Sequence, residues 1–270
     1  MGPIKLRIMS ANIRVDVKED RNTGDNWDAR EEFCAKVMAS NSPDIIGIQE
    51  AQNKHFHDLH ARLLKYDSYG MATLNPVYTP SNFIMYDRSR FELITAGGFW
   101  LSETPHIEGS KSWDCANPRF ANYVLLRDYE SRKSFRFWNV HFDHIGQTAR
   151  RMQAQMMVEA SQVFKDDLPQ FLTGDFNSDM KHPAIGILKD GGWVDTYAAA
   201  HGPEDPGFTF HAFLGPKYAE SRPANKIPGK IDFIFSRGPV ESHDSYIIKD
   251  HKYGHYPSDH YFLVADVTFT

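Results

Sequence analysis

Residues 171–178 read FLTGDFNS: a short apolar run that reaches Gly174, then Asp175, then Asn177. A strand over this run would deliver a carboxylate and an amide at its end, and strand ends are where rigid elements present side chains to a shared crevice. Alone, GDFN suits a turn equally well, because Gly, Asp and Asn all favour turns. The same arrangement recurs along the chain, however. KLRIMSAN closes on Asn12, DIIGIQE on Glu50 and FRFWNVH on His141. KIDFIF carries Asp232, and SDH sets Asp259 and His260 just before YFLVADV. Any one of these is more often a solvated end than a site; their recurrence carries the weight.

The pattern between these points alternates short apolar runs with helix-like stretches. KLRIMSANI reads as a first strand and Arg30–Ser40 as a helix with Phe33, Val37 and Met38 at helical spacing, broken at Ser42-Pro43-Asp44. Asp44–Gln49 is a β-branched run suited to a buried strand, and His55–Leu64 a second helix. Further strands are expected at Phe83–Tyr86, Phe91–Trp100, Tyr123–Arg127 and Phe135–His141, the last two joined by a polar DYESRK turn. Gln147–Lys165 is a helix that places Met152, Met156, Ala160 and Val163 on one face. Gln170–Thr173, Ile231–Phe235 and Tyr261–Phe269 complete the strands. Strands outnumber helices and helices recur between them, which points to an α+β sandwich of two sheets flanked by helices, one domain over residues 1–270.

Bulk properties exclude several classes. No apolar run approaches the roughly 18 residues of a membrane span. Cys34 and Cys115 allow one bridge at most, which excludes a disulfide scaffold and a cysteine-built zinc module. The N-terminus lacks a signal-peptide pattern, Leu6 breaks the myristoylation motif that Gly2 invites, and cysteines are few, so a cytoplasmic location is expected. The net charge is −5, from 30 Lys and Arg against 35 Asp and Glu, without basic runs. That disfavours sequence-blind binding to duplex nucleic acid, which rests on neutralising phosphates.

The residues at the strand ends suit metal-assisted phosphoryl transfer. Glu50 and Asp175 are hard oxygen ligands for Mg²⁺ or Mn²⁺, with Asn12, Asn177 and Asp259 as further oxygen donors. Such an ion polarises a phosphoryl oxygen and stabilises developing charge. Asp232 or Asp259 could orient His260 to activate water or hold phosphate, and His141 could donate to a phosphoryl oxygen or protonate the leaving group.

In order, SANI, IIGIQE, NVHFDH, LTGDFNS, KIDFIF and PSDHYFLVAD resemble the motifs of the endonuclease/exonuclease/phosphatase superfamily, the DNase-I-like metal-dependent phosphohydrolases, over about residues 4–268. NIRVD, NWDAREE, FWLSETP, GSKSWD, NPRF and GFTFHAF look like a bacterial-type branch distantly similar to the carbon-catabolite-repressor-type deadenylases. The resemblance implies a four-layer α/β/β/α sandwich of two mostly antiparallel sheets, and divalent-metal hydrolysis of a phosphoester. It implies Glu50 as principal metal ligand beside Asn12, Asp175 and Asn177 orienting water and phosphate, and Asp259 supporting the metal or His260. It also implies an Asp232–His260 pair and His141 where some relatives carry tyrosine. One departure stands out. Relatives of this branch often carry Gly-Glu before the strand matching FIMY, whereas Tyr78 to Asn82 hold no carboxylate, so an acidic partner for His141 is missing or comes from elsewhere.

Secondary candidates surround these motifs. Arg119 in NPRF could fork onto a phosphate or pair with a nearby carboxylate. Trp113, in a polar loop, could stack on a ring, while Trp100 reads as core. His211 in FTFHAF projects into a cleft or packs; His144 and Arg150 lie just beyond His141 and could approach a substrate phosphate. His55, His57 and His60 share a helix and read as a solvated face, and His106, His182, His201, His243, His251 and His255 have no assigned role. The expected partner is a phosphoester substrate (small molecule, lipid-derived or nucleic acid) bound by a monomer. A nuclease or deadenylase is the alternative within the class, and a non-catalytic phosphate-binding member the alternative outside it. A zinc hydrolase would need HExxH or three clustered ligands, and neither is present.

Overall fold

In the strand Ile4–Asn12, Ile4, Leu6 and Ile8 face one hydrophobic layer while Met9 and Ala11 face another. This two-sided burial is repeated across the molecule and explains why its strands read as near-continuous apolar runs. The computed structural model describes residues 2–71, 81–223 and 229–270. In chain order they form β1 (Ile4–Asn12), α1 (Lys18–Thr23), α2 (Trp27–Ser40), β2 (Ile45–Ala51), α3 (Asn53–Arg62), β3 (Tyr66–Tyr69), β4 (Ser81–Asp87), β5 (Phe91–Trp100), β6 (Phe120–Asp128) and β7 (Ser134–His141). There follow α4 (Gln147–Gln162), β8 (Gln170–Asp175), α5 (Pro183–Asp190), β9 (Val194–Asp195), α6 (Thr196–His201), α7 (Tyr218–Ser221), β10 (Asp232–Arg237), β11 (Val240–Ile248) and β12 (Phe262–Phe269).

Two six-stranded sheets result, ordered β11-β12-β1-β2-β4-β3 and β5-β6-β7-β8-β10-β9. Each is antiparallel except at one pair, β1 with β2 and β7 with β8. Between the sheets lie Ile8, Ile45, Phe135, Phe137, Phe171 and Leu263 among others. Residues of α2 and α3 (Trp27, Val37, Met38, Leu59) cover the outer face of the first sheet. Those of α4 and α5 (Ala154, Met157, Val158, Leu188) cover the outer face of the second. The expected α/β/β/α layering is therefore present. No described helix is long and apolar enough to cross a membrane.

The sheets are also clasped by polar groups. Asn139 Nδ2 donates to the carbonyls of Ile48 at 2.7 Å and Phe83 at 3.0 Å, and Asn139 Oδ1 accepts from Gln49 Nε2 at 2.7 Å and Thr173 Oγ1 at 3.1 Å. A Cβ added at Gly47 would overlap Thr173 Oγ1, so glycine there permits the close approach. This buried network fixes one sheet against the other just behind the strand ends.

Two expectations need correction. Periodicity put Met152, Met156, Ala160 and Val163 together on α4, but Met152 and Val163 are exposed, and the packed face is Ala149, Gln153, Ala154, Met157, Val158 and Ser161. Gln153 and Ser161 belong to it because they are satisfied, Gln153 by the Asp143 N–H at 2.9 Å and Ser161 by the Val158 carbonyl at 2.7 Å. Nor do the histidines of α3 form a solvated face: His55 is buried 4.3 Å from the Trp27 ring, and its Nδ1 accepts from the Gln52 N–H at 3.0 Å. The DYESRK turn follows its sequence, with Asp128 Oδ1 accepting from the N–H groups of Glu130 and Ser131.

Candidate active site

Strand register builds the centre of the site. In the parallel pair β7–β8, His141 lies opposite Asp175, and in the antiparallel pair β8–β10, Asp232 lies opposite Asp175 from the other side. On the other sheet Asn12 pairs with Gln49, next to Glu50. Asp175 Oδ1 accepts from the Asn177 N–H at 2.8 Å. Its Oδ2 lies 3.0 Å from Asn12 Nδ2, 3.4 Å from His141 Nε2 and 3.8 Å from His260 Nε2. His260 Nδ1 is 2.9 Å from Asp232 Oδ2. Glu50 accepts from Asn12 Nδ2 at 3.0 Å and from the Val15 N–H at 2.9 Å. The amide of Asn12 thus turns its N–H groups to both carboxylates, its oxygen being taken by the Arg14 N–H at 3.1 Å. Glu50 and Asn177 hold φ of +63° and +48°, a left-handed backbone uncommon outside glycine and often retained at functional sites.

Burial and mutual charge divide these groups into distinct protonation states. Burial and then the neighbouring Asp232 push Asp175 up to about 7, against the pull of His260. Burial opposes ionisation of Glu50 too, but His141, His260 and the donors Val15 and Asn12 outweigh it and hold this carboxyl at about 2. Burial disfavours a charged His260, yet Asp232, Asp175 and Asp259 raise it to about 10. Burial, then Arg119, keeps His141 well below the ordinary imidazole range. Environments that separate acids from bases in this way mark catalytic sites.

The profile of the Endonuclease/Exonuclease/phosphatase family matches residues 9–260. The chain belongs to that family. Its relatives by structure include an endonuclease/exonuclease/phosphatase family protein from Bacteroides thetaiotaomicron, at 28% identity and a TM-score of 0.89 over 100% of both chains. A mannosyl-6-phosphatase from the same species is 27% identical, with a TM-score of 0.86 over 98% of this chain and 100% of that one. By sequence, Protein angel of Drosophila melanogaster is 28% identical over 159 residues, 57% of this chain; the match spans 44% of that protein's length. The endonuclease/exonuclease/phosphatase family is one of phosphoester hydrolases, as the sequence motifs implied.

In this family member the strand ends open into a cleft of about 760 Å³. Of the residues singled out by sequence, Glu50, Arg119, His141, His144, Asp175, Asn177, Asp259 and His260 line it. Asn12 and Asp232 lie directly behind, in contact with Asp175 and His260. Trp113 and His211 are not among the lining residues. His211 is buried with its ring 4.0 Å from Tyr261 and 4.6 Å from Tyr256, and burial pushes it down to about 3. Trp100 packs on Phe120, as core. Sequence reasoning passed over Arg14 and Tyr218, which also line the cleft. Arg14 bonds Asp20 at 3.0 Å and lies 3.6 Å from Asp259; its position two residues after Asn12 was the available clue. Tyr218, on a four-residue helix after a loop, left none. As for the acidic partner of His141, Tyr78, Thr79 and Pro80 lie outside the described residues. Asn82 donates to the Phe120 carbonyl at 3.2 Å, and the carboxylate beside His141 is Asp175.

The donor set can hold a metal ion. Glu50, His141 and Asp175, and likewise Asp175, Asp232 and His260, bring one ligand atom each to within 4.8 Å of one another. Burial raises Asp259 as it does Asp175, with Glu50 adding to the crowding. Buried carboxylates brought this close repel, and a bound cation relieves that repulsion.

Proposed function

We propose that this chain hydrolyses a small, hydroxylated phosphomonoester with the help of Mg²⁺ or Mn²⁺, water attacking phosphorus in line. The observation that carries the reading is Asp175, a carboxylate pinned by the Asn177 N–H and Asn12 and flanked by two imidazoles of opposite protonation preference. A group poised at about 7 is suited to orient water and take its proton near neutral pH. His260, kept cationic by Asp232, donates to a non-bridging phosphoryl oxygen. Neutral His141 donates a hydrogen bond on the same side to a phosphoryl oxygen, and the departing alkoxide takes its proton from solvent water. Glu50 and Asp259 would hold the metal, whose chemistry is charge neutralisation at phosphorus. Asn12 acts as the donor that keeps Glu50 and Asp175 side by side.

A small substrate is supported by the acidic net charge and by the near-complete structural match to a mannosyl-6-phosphatase. The test is a panel of p-nitrophenyl phosphate, hexose 6-phosphates, bis(p-nitrophenyl) phosphate and oligoadenylate, each with Mg²⁺, Mn²⁺ or excess EDTA. Turnover of the monoesters that EDTA abolishes is expected. Turnover of oligoadenylate alone would move the chain to the nuclease reading, and metal-independent turnover would overturn the role given to the carboxylates.

A further inference from the structure

Behind the cationic side of the cleft sits a carboxylate that the reaction above does not use. Asp143 is fully buried. Its Oδ1 accepts from the N–H groups of Ile145 at 3.0 Å and Gly146 at 2.6 Å, and its Oδ2 from those of Ala116 at 2.9 Å and Asn117 at 3.2 Å. Cys115 Sγ lies 3.3 Å from the same Oδ2. Asp143 thereby ties the loop leading into β6 to the start of α4, and each carries an arginine of the cleft. Arg119 Nε is 4.0 Å from Asp143 Oδ2, and Arg150 Nη1 donates to the Asp143 backbone carbonyl at 2.9 Å.

Both guanidiniums line the cleft and both are under-partnered. The Nε of each is buried without a hydrogen-bond partner among the described residues. Arg150 is 4% exposed and has no carboxylate within ion-pair distance among the described residues; the one carboxylate near Arg119 among them is Asp143 at 4.0 Å, and Arg119 Nη2 lies 3.3 Å from His144 Nδ1. The edges of the two guanidiniums that reach the cleft, rather than the buried Nε atoms, are what an anion there would meet, and such an ion pair offsets the cost of holding two cations with no close counter-charge. Asp175 and Asn177 line the same cleft, so an anion met by the arginines shares it with the reacting groups.

We infer that Arg119 and Arg150, held at the cleft by Asp143, form a two-guanidinium wall that selects a doubly charged monoester phosphate over a singly charged diester. The inference rests on the phosphoester reading above and deepens it. Guanidiniums match phosphate oxygens with a planar fork, whereas lysine offers a point charge, so Arg→Lys keeps the charge and removes the match. Asp143 is a positioning residue, acting through the arginines.

The test compares wild type with Arg150→Lys, Arg119→Lys and Asp143→Asn on p-nitrophenyl phosphate and bis(p-nitrophenyl) phosphate at fixed Mn²⁺, with inorganic phosphate binding measured by calorimetry. Each Arg variant should lose about 10-fold or more in kcat/KM on the monoester and less than about 3-fold on the diester, with phosphate affinity falling in parallel. Asp143→Asn should raise KM for the monoester more than it lowers kcat. An unchanged monoester-to-diester ratio together with unchanged phosphate affinity in both Arg variants overturns the wall, as does an equal loss on both substrates. If Asp143→Asn does not fold, the Arg variants still decide. If wild type hydrolyses neither ester, the functional reading fails, and the phosphate titrations alone decide whether the wall exists.

Discussion

The two walls of the cleft are built in different ways. The acidic wall is strand-borne: His141, Asp175 and Asp232 stand abreast because three neighbouring strands share a ladder, and no side chain has to place them. The cationic wall is carried outside the strands. Arg119 lies one residue before β6 and Arg150 in the first turn of α4. Arg119 meets the Asp143 carboxylate at 4.0 Å, and Arg150 the Asp143 backbone carbonyl, whose loop that carboxylate ties down. Backbone pairing thus holds the groups that do chemistry, while replaceable anchors hold those that meet the substrate.

The sharpest way to break this contrast is Asp175→Asn. It leaves the ladder intact, so the fold should persist by circular dichroism while kcat falls about 10³-fold, within the range for losing a positioned acid or base. The sign of its effect on stability is opposite. Asp175 is raised to about 7 in the folded chain, so its ionisation destabilises metal-free protein as pH rises from about 4 through 7. Melting temperatures in EDTA should therefore fall over that window for wild type and less for the variant. A large loss of structure would show that the carboxylate, not the ladder, holds this wall.

Asp232→Asn probes a single link within it. His260 is raised to about 10, above its unfolded value of roughly 6.5, so the pair stabilises fully below about 6.5 and is lost as pH climbs through 10. The variant should lose about 10²-fold in kcat at pH 8, and the alkaline limb of its pH–rate profile should move to lower pH. An unmoved limb would remove His260 as the titrating donor.

The smallest effect belongs to the loop-borne side. Burial opposes ionisation of Asp143, but the N–H groups of Gly146, Ile145 and Asn117 hold it down at about 2. Its stabilisation is present above roughly pH 4 and is lost as pH falls through 2. Asp143→Asn should cost about 1–3 kcal/mol at pH 7 by urea titration, a deficit that shrinks towards pH 2. A pH-independent deficit would mean that packing rather than charge ties this wall together.

Much of this was legible beforehand because it is local. Apolar runs ending on Asn12, Glu50, His141 and Asp175 are visible in one dimension, and each does end a strand or adjoin a strand's end. Helix faces were less legible. On α4 a periodicity count favoured the methionines, but Gln153 and Ser161 are buried at no penalty once bonded to Asp143 and Val158, and no count anticipates a partner. His55 was misread for the same reason, its burial being licensed by Gln52 and Trp27.

Apolar runs that end on polar residues mark the strands and the acidic half of the site residue by residue along the chain, and the resemblance of their motifs supplies the four-layer sandwich. Only the tertiary structure decided that Asp175 stands between His141 and Asp232, that His211 turns away among tyrosines, and that Arg119 and Arg150 meet over Asp143. These depend on register and on contacts between residues far apart in the chain, where the free energy lies in pairs rather than in single positions.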